Sequence, residues 1–408
     1  MRMIVINRFY WPEEPATAQL LTDLAEALAA AGSEVFVITS HSGDVLVTRK
    51  ETRRHVCIYR VRSSRGHRVG LIPKAVDFIT FHVGAMWRLF RLIRRGDTVI
   101  AMTDPPLLGI GAWMITSLRG GRLFHWVQDI YPELAIELAG QRWLAGLKPL
   151  RNLAWRRAAG CVTLGTDMAA VIANAGVARE KLFIVPNWPP CGIATPPTEV
   201  VAALRAEWGL AGKFVVAYSG NLGRVHDLEP VLELAVILRD EPHIALVFIG
   251  AGAQQAALEA KATELRLSNV QFLPPQPRAQ LASSLAVGDV HLVTLRPGCE
   301  HYVFPSKLYG IAAVSRPVLV IGPCNSELAR IVTAHGFGRA FGRSDMSALA
   351  GEIRRLAGYP PECLRRGVAA GAFARHHGDS IVAANRWKAV LIPHKLAEVV
   401  PLQHIFPG

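Results

Sequence analysis

Five prolines fall within the twelve residues 186–197 (Pro-Asn-Trp-Pro-Pro-Cys-Gly-Ile-Ala-Thr-Pro-Pro), and no other stretch constrains the fold as much. Proline fixes its own φ and donates no backbone hydrogen bond, so neither a helix nor a central strand can run through this segment. A linker here divides the 408 residues into two parts, each of a size that suits one domain. Both parts repeat one pattern, a short apolar run followed by apolar residues at helical spacing. Before the linker the strand-like runs are 3–6, 34–40, 56–61, 98–102, 122–127, 160–163 and 182–185, with a first helix over 18–31 that stops at Gly32. After the linker they are 214–218, 244–249, 270–273, 290–295 and 318–321. Strand, helix, strand in close succession is a βαβ unit, which requires a parallel sheet and a right-handed crossover. The expectation is two Rossmann-like, doubly wound α/β domains, 1–188 and 198–379, facing each other across a cleft. Ligands of such sheets bind at the carboxyl ends of the strands.

Two stretches after the linker have the make-up of an anion site. Val303-Phe304-Pro305-Ser306-Lys307-Leu308-Tyr309-Gly310 follows a strand and places Lys307 in the first turn of a helix expected over 306–313. A helix start offers unpaired N–H groups and the positive end of a dipole, to which Ser306 adds a hydroxyl and Lys307 a cation. Taken alone, the stretch also reads as an ordinary capped helix with a solvated lysine. Tyr218-Ser219-Gly220-Asn221-Leu222-Gly223-Arg224 has the same order of strand, glycine turn and helix, and the pair points to a phosphate-binding cleft. Gly250-Ala251-Gly252 lacks the third glycine and the downstream acid of a dinucleotide fingerprint, so it reads as a turn and argues against a dehydrogenase. There is no P-loop, HExxH, GxSxG or Asp-x-Asp pair. Neither a metal nor a cofactor is expected.

The six cysteines are scattered without metal-ligand spacing, which suits unpaired thiols in a reducing compartment. No apolar run has the length of a membrane span, and the opening Met-Arg-Met-Ile-Val-Ile goes directly into a strand. The net charge of +13 is concentrated: 13 Lys and Arg against Glu51 and Asp77 lie between Arg49 and Arg95, leaving the remainder nearly neutral. At helical spacing Ile79, Val83, Met86, Phe90 and Ile93 share one side of this region, and Arg88, Arg91 and Arg95 another. With Lys74 and Arg94, these cations suit an anionic membrane surface or nucleic acid. A core helix with a solvated basic face gives the same pattern. Nothing resembles a helix-turn-helix or RNA-binding motif, so no nucleic-acid partner is expected.

Across nearly its whole length the chain resembles the retaining glycosyltransferases of family 4, which have the GT-B fold. The matching stretches, in order, are Tyr10-Trp11-Pro12-Glu13-Glu14, Gln128-Asp129-Ile130-Tyr131-Pro132-Glu133, Pro186-Asn187-Trp188, Gly220-Asn221-Leu222-Gly223-Arg224, Gln276-Pro277-Arg278, Asp289-Val290-His291-Leu292-Val293 and Pro305-Ser306-Lys307. The branch it is most similar to builds bacterial exopolysaccharide, O-antigen and colanic-acid-type units. The resemblance implies a retaining, metal-independent enzyme of the hexosyltransferase type. It would move sugar from a nucleoside-diphosphate sugar, UDP favoured over GDP, to a polyprenyl-diphosphate-linked saccharide. It implies a cytoplasmic protein, peripheral on the inner face of the membrane, with a C-terminal helix over about 380–400 packed back on the first domain.

Carried over by residue, the resemblance implies Lys307 and Arg224 as the diphosphate cations. Gly220, Asn221, Gly223, Asn187, Gln276, Pro305 and Ser306 would form the donor site. The family's two glutamates fall on Tyr302 and Gly310, so both are missing, and Glu300 is the nearest replacement. The family's His-Asp pair reads Gln128-Asp129 here, leaving Asp129, or Glu13 and Glu14, to deprotonate or orient the acceptor hydroxyl. Asp129 also reads as a helix N-cap before Pro132. Two rivals remain: a sugar-nucleotide epimerase of the same fold, and a non-catalytic protein that binds nucleic acid or an anionic surface.

Overall fold

The structure, a computed structural model, describes residues 1–41, 49–62 and 71–392, with 71–75 described by the backbone alone. The chain divides into two compact units. The first comprises Met1–Asn187, Tyr302–Phe304 and the chain from Ser380 onward; the second comprises Trp188–His301 and Pro305–Asp379. Tyr302–Phe304, which the sequence assigned to the second domain, thus belongs to the first unit.

Among the described residues the first unit is built on eight strands: β1 (Arg2–Ile6), β2 (Glu34–Ser40), β3 (Lys50–Arg53), β4 (Val56–Val61), β5 (Thr98–Ala101), β6 (Arg122–Trp126), β7 (Gly160–Thr163) and β8 (Leu182–Ile184). Their spatial order is β3-β4-β2-β1-β5-β6-β7-β8. All neighbours are parallel except β3 and β4. Helices cover both faces, so β1 is apolar after Arg2, with Met3 to Ile6 all buried. Strand β3, Lys-Glu-Thr-Arg, has no apolar run for a sequence reading to find; it is an antiparallel edge strand that alternates exposed and half-buried residues.

Helix Leu71–Leu92 turns Phe81, Ala85 and Leu89 onto this sheet, and helix Ala16–Ala30 turns in Leu21, Leu24 and Leu28. Spacings of three or four residues keep each set on one face. Helix Ser380–Leu391 packs on helix Ala16–Ala30, and its Trp387 is wholly buried with its ring 5.0 Å from that of Trp126, edge to face. Of the helix expected over about 380–400, residues 393–400 lie outside the described residues.

The second unit is an all-parallel sheet of β9 (Phe214–Ser219), β10 (Ile244–Ile249), β11 (Val270–Leu273), β12 (Val290–Thr294), β13 (Val318–Ile321) and β14 (Gly338–Phe341), in the order β11-β10-β9-β12-β13-β14. Strand β14 also escaped the sequence reading, being a four-residue edge strand with Arg339 exposed. Both sheets change winding direction beside a central strand, β1 in one and β9 in the other. Such switch points open a crevice at the carboxyl ends, which here lead to Asn7-Arg8, Met102 to Asp104 and Val127 to Asp129 in the first unit. In the second unit they lead to Gly220 and to Leu295-Arg296.

Candidate active site

In the second unit the turn after β9 and the turn after β10 are interlocked. Gly220 N–H donates to Ile249 O and Leu222 N–H to Ala251 O, both at 2.9 Å, while Gln254 Nε2 donates to Gly223 O at 2.6 Å. Gly250 is held at φ +146, and a Cβ there would sit 2.1 Å from Gly220 O, so no other residue fits. Gly250-Ala251-Gly252 is therefore a packing turn. Of the N–H groups from Gly220 to Gly223, those of Gly220 and Leu222 are spent on the neighbouring turn, leaving Asn221 and Gly223. The following helix begins only at Glu229.

Lys307 meets this turn from the next crossover. Its Nζ lies 3.7 Å from the centroid of the Tyr218 ring, and a Cβ on Gly220 would stand 3.3 Å from it, so the glycine leaves room for the ammonium. The atom is buried and has no hydrogen-bond partner among the described residues. Burial pushes its pKa down to about 7, and the ring face supplies a cation–π contact in place of a counter-ion. Nearby His226 gives Thr294 O its Nδ1 contact at 2.7 Å; burial and then the Lys307 charge push it down to about 3, so it is neutral. Helix Lys307–Ala313 is seven residues long, and Ser306, itself in helical conformation, makes no side-chain cap. The capped-helix reading of this stretch does not hold.

Around this lysine the other expected donor residues fall unevenly. Arg224 is exposed on the loop before the helix. Pro305 is buried, and Glu300 has Oε1 3.8 Å from His301 and Oε2 buried without a partner among the described residues. Gln276 is half-buried, donating to Pro274 O at 2.9 Å. Asn187 does not fit its expected role. It closes the first unit, and its buried amide pairs reciprocally with that of Gln128, both bonds at 3.0 Å. Arg296, which the sequence reading passed over, follows β12, donates its N–H to Val225 O at 3.0 Å and has a buried Nε without a partner among the described residues.

In the first unit Asp129 leaves the end of β6 into a cavity of about 490 Å³ lined by Arg8, Phe78, Asp104, Tyr131 and Leu144 among others. Thr103 Oγ1 accepts the Asp129 N–H at 3.1 Å and the Gln128 N–H at 3.2 Å. On the other side Val303 bridges Asp129 as an antiparallel partner, and Ile130 N–H donates to Tyr302 O at 2.9 Å. The next helix begins at Glu133, after Pro132, so Asp129 is not its cap. Burial, and then the neighbouring Asp104 charge, raise the Asp129 carboxyl to about 7. Such a group can take or give a proton at neutral pH. Glu13 and Glu14 do not line this cavity; Glu13 accepts from Tyr10 N–H at 3.4 Å, and Glu14 is exposed.

The basic helix differs from its expected division. Asp77, Phe81, Ala85 and Leu89 are buried; Val76, Ile79, Val83 and Trp87 are exposed, Val83 by 66%. Ile93 is buried, and Met86 and Phe90 are half-buried because helix Leu108–Leu118 covers that flank, Met86 lying against Gly111. Arg88 is half-buried over the Tyr59 ring, while Arg91, Arg94 and Arg95 are exposed. Met114 and Leu118 of the covering helix extend the exposed apolar surface. The Lys74 side chain lies outside the described residues. Among the described residues no helix is long and apolar enough to cross a membrane, and no group of three or more His, Cys, Asp or Glu is arranged to hold a metal.

Two family models divide the chain between them: a glycosyl transferase 4-like domain matches residues 17–188 and glycosyl transferases group 1 matches 201–370. The chain belongs to the GT-B glycosyltransferases. This transferase is 28% identical over 374 residues to the putative colanic acid biosynthesis glycosyl transferase WcaI of Escherichia coli K12, covering 87% of this chain and 92% of that one. Its fold is also that of Anabaena HepE, solved with UDP and glucose, at a TM-score of 0.74 and 15% identity over 96% of this chain and 99% of that one. Sucrose-phosphate synthase of Thermosynechococcus elongatus has a TM-score of 0.79 at 15% identity, over 97% and 100%. The transferase is thus similar to enzymes of bacterial polysaccharide biosynthesis.

Proposed function

We propose that the transferase moves a hexosyl group from a UDP-sugar to a hydroxyl of a polyprenyl-diphosphate-linked saccharide, with retention of configuration. The observation that carries this is the buried Lys307 ammonium beside Gly220, without an anionic partner among the described residues. A nucleoside diphosphate would satisfy it. As the glycosidic bond breaks, negative charge grows on the departing diphosphate, and a fixed cation in a shielded site stabilises that state more than the ground state. Arg224 and Arg296 stand on the loops flanking Lys307 and add charge from the chain itself. In a retaining reaction the acceptor hydroxyl attacks the face the diphosphate leaves, and the donor's own phosphate assists its deprotonation. Asp129 orients that hydroxyl or shares its proton. HepE, whose structure contains UDP and glucose, supports the choice of nucleotide, and the likeness to WcaI supports a polysaccharide precursor as acceptor.

The test is a thermal-shift titration of the full chain with UDP, GDP, dTDP and ADP. UDP at a hundredfold over its Kd should add about 2.7 kcal/mol of stability. Lys307→Ala should abolish that shift and reduce transfer by on the order of 10²–10³. An unaltered UDP shift in the variant would overturn the assignment.

A further inference from the structure

The second unit has a cavity of about 380 Å³ at the end of its sheet away from Gly220 and Lys307. Its walls include Phe214, Asp289 and Pro317, which begin or immediately precede β9, β12 and β13, whereas Gly220 and Arg296 follow the far ends of β9 and β12. The six residues of β9 put roughly 20 Å between its two ends. The volume is that of a small-molecule site, typically about 300–1,000 Å³. Three cations line it, Arg205, Lys213 and Arg316, against one acid, Asp289. That acid is spent within the protein: Oδ2 accepts the Val215 N–H at 2.7 Å, and Oδ1 pairs with Arg205 at 2.7 Å. Arg316 gives Nε and one terminal nitrogen to Ala286 O, at 3.2 and 2.7 Å, and meets no carboxylate among the described residues. Lys213 is half-buried, and its ammonium has no ion pair among the described residues. His243, also on the rim, is exposed and 3.9 Å from Glu241, while Glu362 is bound to Arg365 and Arg366. The Cys363 thiol donates to Asp289 O at 3.2 Å; burial pushes it up to about 11, so it adds no negative charge. Two positive charges are left without an acid.

We propose that this cavity is a second ligand site of the transferase, and that it takes a small phosphate monoester with an apolar body. Arg316 and Lys213 hold the phosphate, and the body lies against the apolar walls, Phe214, Pro317, Leu356 and Leu364. At neutral pH a phosphate monoester carries close to two negative charges, which matches the two cations left over. A guanidinium can also grip phosphate oxygens through two N–H groups at once. Burial holds the Arg316 pKa below its usual value, and the Arg205 charge adds to this against Asp289, so a bound anion relieves a cost the protein otherwise bears alone. The position of Arg316 is fixed before any ligand arrives. Ser315 ahead of it has φ +58, and helix Pro360–His377 lies so close that a Cβ on Gly367 would stand 2.4 Å from Ser315 O. A cation on a backbone held in this way loses less freedom on binding. Inorganic phosphate would leave the apolar walls wet, and a neutral apolar molecule would leave the cations unmet.

Phenyl phosphate is the probe. The full chain is titrated with it by calorimetry, with and without UDP, at about pH 8, where the second phosphate proton (pKa about 6) is gone. Saturable binding to one site is expected, about tenfold or more tighter than that of inorganic phosphate, and UDP should not displace it. Lys213→Glu should weaken it by about tenfold or more, and so should Leu364→Asp, at a residue 70% exposed. Neither side chain supports the fold through a hydrogen bond, whereas Arg316→Gln would also strip Ala286 O of its donors. Both variants should keep the thermal shift with UDP. Lys307→Ala, which should lose that shift, should bind phenyl phosphate as the wild type does, so the two sites stand or fall separately. Displacement of phenyl phosphate by UDP, an affinity no better than that of inorganic phosphate, or indifference to both Lys213→Glu and Leu364→Asp overturns the proposal.

Discussion

An ammonium shut off from water without a counter-ion is costly to keep charged, and Lys307 answers by holding its proton only below about pH 7. The sign of the pH dependence follows. Above that pH the free protein has lost the proton, while a bound diphosphate holds it on, so each ligand bound takes up one proton. Affinity for UDP should fall tenfold per unit from pH 7.5 upward (approximate onset), until the pKa of the bound lysine is reached. Calorimetric titrations in buffers of different ionisation enthalpy will count that proton; Lys307→Met should lose both the affinity and the slope. Asp129→Asn is a test of the other unit. Turnover at saturating donor should drop by on the order of 10²-fold, a usual share for one acid–base group, while UDP affinity is unchanged. Lys307 and Arg224 were legible as candidates in the two strand–turn stretches, and Asp129 as one through the family resemblance. The Tyr218 ring under Lys307, the spent N–H groups of Gly220 and Leu222, and the Gln128 amide that occupies Asn187 were not, since each depends on which strands lie side by side.

At the scale of elements, periodicity found most strands and misjudged one helix face. Strands β2, β4, β7, β10, β11 and β13 have the bounds expected from their apolar runs. Strands β3 and β14 were missed because polar edge strands have no apolar run to announce them. Helix Leu71–Leu92 shows a different limit: its apolar residues go all round, and only a second helix decides which flank is covered. The exposed remainder, Val76, Ile79, Val83 and Trp87 beside Arg91, Arg94 and Arg95, forms an apolar strip edged with cations. We expect it to bind anionic vesicles at low salt, with each cation near the surface contributing about 1 kcal/mol. Co-sedimentation should be lost at roughly 0.5 M salt, where the Debye length is a few ångströms. Trp87→Ser together with Arg91→Gln, Arg94→Gln and Arg95→Gln should weaken it at low salt without altering UDP affinity. Indifference of the wild type to anionic vesicles would leave the strip a solvated face.

On the scale of the whole molecule, the linker told where one sheet ends and the next begins, and a returning C-terminal helix was expected, but not that Tyr302–Phe304 also belongs to the first unit. Trp387 shows how tightly the last stretch is held, being 0% exposed against Trp126. Trp387→Ala should destabilise the first unit by about 3–5 kcal/mol. In scanning calorimetry that unit's transition should fall in temperature while the second unit's stays in place; a shift of both together, or of neither, would show that the helix does not belong to the first unit alone.

This division of the first unit has a consequence for the chain as it leaves the ribosome. Synthesis proceeds from the N-terminus at about 5–20 residues per second. Strand β6 and its Trp126 emerge before the segment Tyr302–Phe304 that flanks Asp129, and the indole that covers Trp126 comes 261 residues after it. For most of that interval the sheet of the first unit is already complete, since β8 ends at Ile184, but the patch around Trp126 lacks the helix that covers it. The domain that starts first is therefore the one that finishes last, and a chain released early would leave that patch open to chaperones and to other nascent chains.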